Sequence, residues 1–169
     1  INLSLVVPVY NEEEAVDLFI ARVGSVFRPR SDISVEVVFV NDGSTDRSLD
    51  RMLECEASPM RIKVIDLSRN FGKEAALTAG IQHSGGEIVV PIDADLQHPP
   101  EVILEMIAKW QEGFEVVLGH RIDRCLEIGL DRQLLAHSIG LVPAAVLLRR
   151  LDRREHRLWA RRRDPGADH

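Results

Sequence analysis

Short apolar strands that alternate with helices are the feature that most constrains how this sequence folds. Apolar and β-branched runs predict strands at residues 3–9, 35–40, 62–67, 87–92 and 115–119. Helical spacing and end signals predict helices at residues 12–27, 46–56, 73–83 and from Pro99-Pro100 to about Gln111. Because each helix returns the chain for another parallel strand, the alternation predicts an α/β fold with a mostly parallel twisted sheet flanked by helices on both faces.

The first two helices carry the clearest local signals. An acidic first turn suits the positive end of the first helix dipole. We expect the apolar face of that helix to consist of Ala15, Leu18, Phe19, Val23 and Val26. For the second helix, the sequence predicts Thr45 or Asp46 near the N-cap.

Polar clusters follow four of the predicted strands at the same end of the sheet. They are YNEE after the first strand, NDGSTD after the second, DADLQH after the fourth and HR after the fifth. Ligands of open parallel sheets bind outside the carboxyl ends of the strands. Loops are polar on both edges of a sheet, so polarity alone is weak evidence. The coincidence of four clusters on one edge nevertheless predicts a ligand site there.

Two aspartates, Asp93 and Asp95, stand where the fourth strand ends. If the loop turns, their carboxylates approach each other, and their repulsion is costly without a cation. Because oxygen ligands suit Mg²⁺ or Mn²⁺, we predict a divalent metal site at Asp93, Asp95 and the amide of Gln97. A D-x-D pair is weak evidence alone, since Asp95 could equally cap the next turn. We expect His98 to face solvent.

Charge and composition argue against several other classes of protein. The net charge of −6 argues against a nucleic-acid partner, which usually needs a basic surface. The absence of a G-x-G-x-x-G after the first strand and of a P-loop disfavours a dehydrogenase and a P-loop nucleotidase. Cys55 and Cys125 are isolated, which disfavours a disulfide framework or a zinc site. The apolar stretch 139–148 has about half of the ~20 residues that span a bilayer, so we expect no transmembrane helix.

Four motifs together resemble one enzyme family. VVPVYNEE, VFVNDGSTD, LSRNFGKEAALTAGI and PIDADLQHPPE, in this order and spacing, resemble the family 2 glycosyltransferases of the GT-A fold, in particular the polyprenyl-phosphate sugar synthases. The resemblance covers about residues 3–124. It implies a Rossmann-like nucleotide-binding fold and a metal-dependent, inverting transfer of a hexose. The donor would be a UDP- or GDP-sugar, and the acceptor a dolichyl or undecaprenyl phosphate.

The resemblance also implies roles for single residues. The nucleotide-binding positions would be Pro8, Tyr10, Asn11, Glu12, Asp42, Gly43, Lys73, Asp93 and Ala94. Asp42 would accept hydrogen bonds from a base N–H or from ribose hydroxyls, and Gly43 would let the backbone turn tightly. A plain helix-capping turn is the alternative for Gly43.

The reaction implied by the resemblance needs few protein groups. Asp93, Asp95 and Gln97 would hold the Mg²⁺ or Mn²⁺ that bridges the diphosphate. Arg121 and Lys73 are candidates for contacting phosphate, although each alone is more often a surface cation. We take Asp93, Asp95 and Arg121 as the candidate catalytic residues. The acceptor phosphate is already anionic at neutral pH, so we assign no general base.

The C-terminal part of the chain differs from the rest. The resemblance ends near Arg124, so we divide the chain into a nucleotide-sugar-binding domain at residues 1–124 and a divergent basic segment at residues 125–169. Residues 149–169 hold eight arginines and four acidic residues, which leaves residues 1–148 with a net charge of −10. Two interpretations stay open, an amphipathic segment that lies on an anionic membrane and a truncated tail. The first implies a peripheral protein at the cytoplasmic face of the membrane; the second, a catalytically incomplete nucleotide-sugar-binding fragment.

Overall fold

A single sheet with helices on both faces forms the part of the chain described by the computed structural model, which comprises residues 1–56, 59–114, 116–122, 125–129 and 145–149. In chain order the elements are β1 (Asn2–Val9), α1 (Glu13–Phe27), β2 (Ser34–Asn41), α2 (Ser48–Glu54), β3 (Arg61–Asp66), α3 (Lys73–His83), β4 (Ile88–Pro91), α4 (Val102–Gln111), β5 (Val116–Ile122), β6 (Cys125–Gly129) and β7 (Ala145–Arg149). The strand order is β3-β2-β1-β4-β7-β5-β6.

The first four strands form the parallel part of the sheet. β1 pairs with β2 on one side and with β4 on the other, and β2 pairs with β3, all in parallel. Val9 of β1 is in register with Asn41 of β2, and Asn41 is in register with Asp66 of β3. The loops that follow these strands therefore start side by side at one edge. This confirms the predicted α/β fold with a parallel sheet flanked by helices.

The other three strands add antiparallel pairs. β7 lies between β4 and β5 and is antiparallel to both, so β5 runs in the same direction as the first four strands. β6 then pairs antiparallel with β5. β6 and β7 were not predicted, although both lie in the segment that we separated after residue 124. Ala145–Arg149 is a short apolar run. Periodicity alone cannot assign such a run to a strand.

Both faces of the sheet are covered. On one face, alternate residues of β1 pack with residues of α1 and α4 in the larger cluster, and on the other face Val6 packs with Leu77 of α3. α1 buries Val16, Phe19, Ile20, Val23, Gly24 and Phe27. Leu18, which we expected in this face, is 63% exposed, so that prediction was wrong. It lies two residues from both Val16 and Ile20, which turns it about 200° away around the helix.

A buried polar network closes the opposite edge of the sheet, where the parallel strands begin. Glu36 of β2 is only 8% exposed. Its Oε2 accepts hydrogen bonds from Ser4 Oγ of β1 at 2.7 Å and from the Gly85 N–H at 2.8 Å. Its Oε1 lies 3.1 Å from Lys63 Nζ of β3. One carboxylate thus connects three strands and the turn before β4.

The basic C-terminal segment largely lies outside the described residues, which include only Arg149 of the stretch 149–169. Its predicted membrane contact therefore stays a prediction. Within the part of the chain that the structure describes, none of the helices is long and apolar enough to cross a membrane.

Candidate functional site

Asn11 joins the loop after β1 to the loop after β2. Its backbone φ is 54°, a conformation that Asn tolerates better than most residues. Its Oδ1 accepts a hydrogen bond from the Thr45 N–H at 2.8 Å. Its own N–H donates to Ser44 Oγ at 3.0 Å. The two loops therefore form one continuous surface at the carboxyl edge of the sheet.

Asp46 strengthens the same junction. Its Oδ1 accepts from the Ser48 N–H at 3.0 Å, and its Oδ2 accepts from the Glu13 N–H at 3.2 Å. Burial alone would raise the pKa of Asp46, but the hydrogen bonds from Ser48 and Glu13 outweigh it and hold that pKa below its usual value. Asp46 therefore stays ionised at neutral pH and accepts the first N–H of α2, as its predicted place near the N-cap implies.

Asp42 is buried between two loops and is only 3% exposed. Its Oδ1 accepts from the Phe71 N–H at 2.7 Å, and its Oδ2 accepts from the Gly72 N–H at 2.9 Å. Residues 69–72, here called the RNFG loop, thus rest on this carboxylate. The predicted contact of Asp42 with a base or ribose stays a prediction, and the structure adds this second set of partners.

Gly43 allows the RNFG loop to come so close. Its φ is 68°, in the region that favours glycine. A Cβ at this position would lie 2.4 Å from the backbone carbonyl carbon of Arg69 and 2.5 Å from the backbone nitrogen of Asn70. The tight turn predicted at Gly43 is confirmed, and its partner is the RNFG loop.

Lys73, the first residue of α3, brings a cation to the aspartate pair. Its Nζ lies 2.6 Å from Asp93 Oδ1. The two side chains are 56% and 37% exposed, so both stay accessible to a ligand. Lys73 therefore lies on the predicted ligand edge, with Asp93 as its partner in this structure.

Asp95 and Gln97 lie in a sharp turn beyond Asp93. Asp95 Oδ1 accepts from the Gln97 N–H at 3.1 Å, and Leu96 between them has a φ of 56°. The turn contact that we left as an alternative for Asp95 is therefore present, while the side chains of Asp95 and Gln97 remain exposed. His98 is half-buried and its Nδ1 is enclosed, so the expectation that it faces solvent was wrong. The buried Pro100 holds this stretch against the protein.

Glu12 adds a third carboxylate to this region. Its Oε2 is buried without a hydrogen-bond partner. Burial, followed by the charges of Asp95 and Asp93, raises the pKa of Glu12 above its usual value, while Lys73 acts in the opposite direction. The region therefore holds more negative charge than Lys73 neutralises, and a bound cation would relieve that repulsion.

The donor set fits a hard divalent ion. Among the described residues, no three His, Cys, Asp or Glu side chains form a ready-made metal site. Mg²⁺ commonly takes only one or two protein carboxylates and completes its shell with waters and substrate phosphates. The negative charges of Asp93 and Asp95, which raise the pKa of Glu12, and the all-oxygen set of Asp93, Asp95 and Gln97 suit such an ion.

The remaining predicted site residues differ in how exposed they are. Pro8 is half-buried in β1, and Tyr10 is 46% exposed just beyond it. Ala94 is 1% exposed and belongs to the larger core cluster, so only its backbone is available to a nucleotide. Arg121 lies in β5, where its backbone is in register with Leu126, and its side chain lies outside the described part of the chain.

Comparison of the sequence with known protein families identifies the family to which it belongs. The sequence matches the family described as Glycosyl transferase family 2 over residues 4–165, which continues past Arg124. The chain belongs to this family. This confirms the resemblance predicted from the four motifs.

Several relatives of this family 2 glycosyltransferase chain are similar in sequence. It is 48% identical over 124 residues to an uncharacterized glycosyltransferase of Synechocystis sp., covering 73% of this chain and 39% of the relative. It is 45% identical over 132 residues to the bactoprenol glucosyl transferase of Shigella phage SfV, covering 78% and 43%. The chain thus spans about two fifths of the length of these relatives.

Solved glycosyltransferases share the fold. A mannosyltransferase from Pyrobaculum calidifontis, in complex with GDP-Man and Mn²⁺, matches with a TM-score of 0.57 and 26% identity, covering 70% of this chain and 35% of that one. The S. aureus TarS fragment 1–349 in complex with UDP-GlcNAc matches with a TM-score of 0.60 and 22% identity, covering 88% and 45%. The second likeness concerns the fold alone. Together they confirm the predicted GT-A fold class for this family 2 chain.

Sequence reasoning missed the contacts that join the loops of the candidate site. It did not find that Ser44, Thr45 and Ser48 bind the loop after β1, nor that the RNFG loop rests on Asp42. Short polar residues before a predicted helix were the available signal, because they commonly bond to nearby backbone. The pattern could not name partners that lie 29 to 36 residues away in the chain.

Proposed function

We propose that this chain is the nucleotide-sugar-binding part of a metal-dependent, inverting glycosyltransferase. The enzyme moves a hexose from a UDP- or GDP-sugar to a polyprenyl phosphate. Membership of family 2 supports the reaction class. Relatives named bactoprenol glucosyl transferase support the polyprenyl acceptor. The mannosyltransferase in complex with GDP-Man and Mn²⁺ supports the nucleotide sugar and the divalent ion.

One observation in the structure carries this proposal. At the carboxyl edge of the sheet, burial and the charges of Asp95 and Asp93 raise the pKa of Glu12, while Lys73, whose Nζ lies 2.6 Å from Asp93 Oδ1, opposes that rise. An acidic surface of this kind repels a free diphosphate. It binds one when a divalent cation bridges the two sets of oxygens. The charge pattern therefore favours a metal-bridged diphosphate over a directly bound anion.

The residues of the site have distinct roles in this proposal. Asp93, Asp95 and Gln97 would hold Mg²⁺ or Mn²⁺, which would stabilise the growing charge of the nucleoside-diphosphate leaving group. Lys73 would donate to a phosphate oxygen once the ion neutralises Asp93. The nucleoside would lie against Pro8, Tyr10 and the junction of the two loops at Asn11.

The acceptor side needs no proton removal by the protein. A lipid phosphate presents an oxygen that is already anionic at neutral pH and attacks the sugar carbon in line with the leaving group. In-line attack inverts the configuration of that carbon. Arg121, on β5, is the residue that we assign to orient phosphate oxygens.

Partial coverage of the relatives supports a second candidate function. Because the chain spans about two fifths of their length, it would bind the nucleotide sugar and fail to transfer it if acceptor-binding residues lie elsewhere. In either case we propose that this chain lies at the cytoplasmic face of the membrane, since a polyprenyl phosphate is held in a bilayer and the segment 149–169 is basic.

Calorimetric binding of UDP and GDP to the full chain tests the proposal. With Mn²⁺ present we expect one of the two to bind. Excess chelator should weaken that binding by at least about tenfold, and so should Asp95→Ala in the presence of Mn²⁺, because each removes support for the diphosphate. Asp50→Ala is the matched control, since Asp50 is an exposed aspartate on α2 whose partner is Arg47 at 3.9 Å.

Equal affinity for the nucleoside diphosphate with and without chelator would contradict the metal-bridged site. Transfer of labelled sugar to undecaprenyl phosphate then separates the two candidate functions. Turnover by this chain identifies a transferase, whereas binding without turnover identifies the nucleotide-sugar-binding fragment.

A further inference from the structure

The RNFG loop is attached to the body of the protein through Asp42. Both carboxylate oxygens of this buried residue accept backbone N–H groups of the loop, at 2.7 Å from Phe71 and 2.9 Å from Gly72. Hydrogen bonds to an ionised acceptor are stronger than those between neutral groups. Gly43 lets the loop backbone lie directly on this turn. The position of the loop is therefore set by residues of the NDGS motif.

The same loop sets the start of α3. Gly72 precedes the first residue of the helix, and its carbonyl accepts the Ala76 N–H at 3.1 Å. Lys73 follows directly and reaches Asp93 with its Nζ at 2.6 Å. A cation in the first turn is disfavoured by the helix dipole, so the contact with Asp93 offsets an unfavourable position. The chain of contacts runs from Asp42 through two backbone N–H groups to Lys73 and Asp93.

We propose that Asp42 is a positioning residue, which acts through the RNFG loop to hold the Lys73 ammonium at the diphosphate edge beside Asp93. This inference rests on the proposed function for the ligand that Lys73 meets. It differs from the predicted contact of Asp42 with a base or ribose, because its effect reaches the phosphate end of the ligand. In this role, Asp42 couples the nucleoside side of the site to its diphosphate side.

Asp42→Asn is the variant that tests the inference. Asparagine keeps the size of the side chain but has one acceptor oxygen, and its NH₂ group would face a loop N–H. One of the two hydrogen bonds is therefore lost, and the loop is released from one side. Circular dichroism checks that the variant keeps its fold.

The first readout needs no ligand. An amine-acylating ester is applied to the full chain, and the rate of modification of Lys73 is measured by mass spectrometry. We expect Asp42→Asn to speed acylation of Lys73 by about two- to fivefold, the range set by the loss of an exposed ion pair. Lys109 of α4, which is paired at 2.9 Å with Glu112 just after the helix, is the internal control and should not change. Asp93→Asn gives the rate for Lys73 without its partner.

An unchanged Lys73 rate in Asp42→Asn overturns the inference, whether or not Asp93→Asn changes it. If Asp42→Asn fails to fold, amide exchange in the unaltered protein decides instead. The Phe71 and Gly72 amides must then exchange slowly, and exchange at the rate of a free loop overturns the inference.

The second readout is a double-mutant cycle on binding of UDP and GDP with Mn²⁺. Asp42→Asn should weaken nucleoside diphosphate binding while Lys73 is present, and in a Lys73→Met background this loss should shrink to the part that the predicted base or ribose contact of Asp42 contributes. Additive losses overturn the inference. Uridine and guanosine isolate the nucleoside contact, since neither carries a phosphate, and their affinity should not depend on the coupling to Lys73. If the unaltered chain binds no nucleoside diphosphate, the proposed function fails, while the acylation rates still decide the role of Asp42.

Discussion

At the scale of single residues, backbone geometry at the site depends on a few unusual positions. Asn11, Gly43 and Leu96 all have a positive φ, and all lie in loops at the carboxyl edge. Such conformations are maintained only where the surroundings hold them, and they concentrate at functional sites. For Gly43 the surroundings are the backbone of the RNFG loop, which packs directly against this residue because glycine has no side chain.

Gly43→Ala should be more destabilising than an alanine at another glycine with positive φ. The φ of 68° alone costs roughly 1–2 kcal/mol for alanine. The Cβ would also meet Arg69 backbone at 2.4 Å, which adds about 1–3 kcal/mol of overpacking. Denaturant unfolding measures both. Gly113→Ala is the control, because Gly113 has a φ of 101° and nothing within 4 Å of its added Cβ. A loss at Gly43 of no more than the roughly 1–2 kcal/mol expected from its φ alone would contradict the close contact.

At the scale of elements, the sheet is held at its two edges by different means. The carboxyl edge is joined by loop contacts, whereas the opposite edge is joined by Glu36. Burial alone would raise the pKa of Glu36, but hydrogen bonds from Gly85 and Ser4 and the charge of Lys63 outweigh it and hold that pKa below its usual value. The ionised form is therefore favoured in the folded protein, and its stabilising effect depends on pH.

Glu36→Gln should destabilise the protein at pH 7 by about 1–3 kcal/mol, because the hydrogen bonds then lack a charged acceptor. A carboxylate whose folded pKa is depressed stabilises the fold above its unfolded pKa, which is about 4.5 here, and that effect is lost as pH falls through the folded pKa. The difference between the two proteins should therefore narrow below about pH 4.5. Chemical unfolding at pH 7, 5 and 3.5 measures it, and a difference that stays constant or widens would exclude this role.

Local patterns were sufficient to predict most elements. α3 at Lys73–His83 was predicted to the residue because SRNFG precedes it and SGG follows it. The carboxyl-edge cluster was also predicted, because parallel strands bring their following loops together. The pairing of Asp42 with Phe71 and Gly72 was not, since hydrogen bonds between distant loops depend on the assembled fold. β7 was missed for the same reason, because its neighbours β4 and β5 are chosen by tertiary packing.

At the scale of the whole molecule, charge is divided unequally along the chain. Residues 149–169 carry an excess of four positive charges, while residues 1–148 carry −10. An anionic bilayer attracts the first and repels the second. The protein would therefore approach such a surface with its basic end, residues 149–169.

The basic end should bind anionic vesicles in a salt-sensitive manner. Each arginine near an anionic surface contributes about 1 kcal/mol, and screening weakens this above physiological salt. Co-sedimentation with anionic and with neutral vesicles compares the full chain with one ending at Arg150, which keeps β7 intact. A full-length variant keeps the length and removes charge by glutamine at Arg153, Arg154, Arg157, Arg161, Arg162 and Arg163. If all three proteins sediment alike with anionic vesicles, the segment has no such role.

Because β7 lies between β4 and β5, the strands do not enter the sheet in the order in which they are synthesised. β4 and β5 are made first, yet neither touches the other in the sheet. Pairing of Ile88 with Arg149 closes a loop of about 60 residues. Because closing this loop costs chain entropy, the pairing forms late in folding. Until then the ribosome-bound chain exposes an unpaired edge along β4, the kind of edge through which nascent chains aggregate. A chain that stops before Ala145 would keep that edge permanently open.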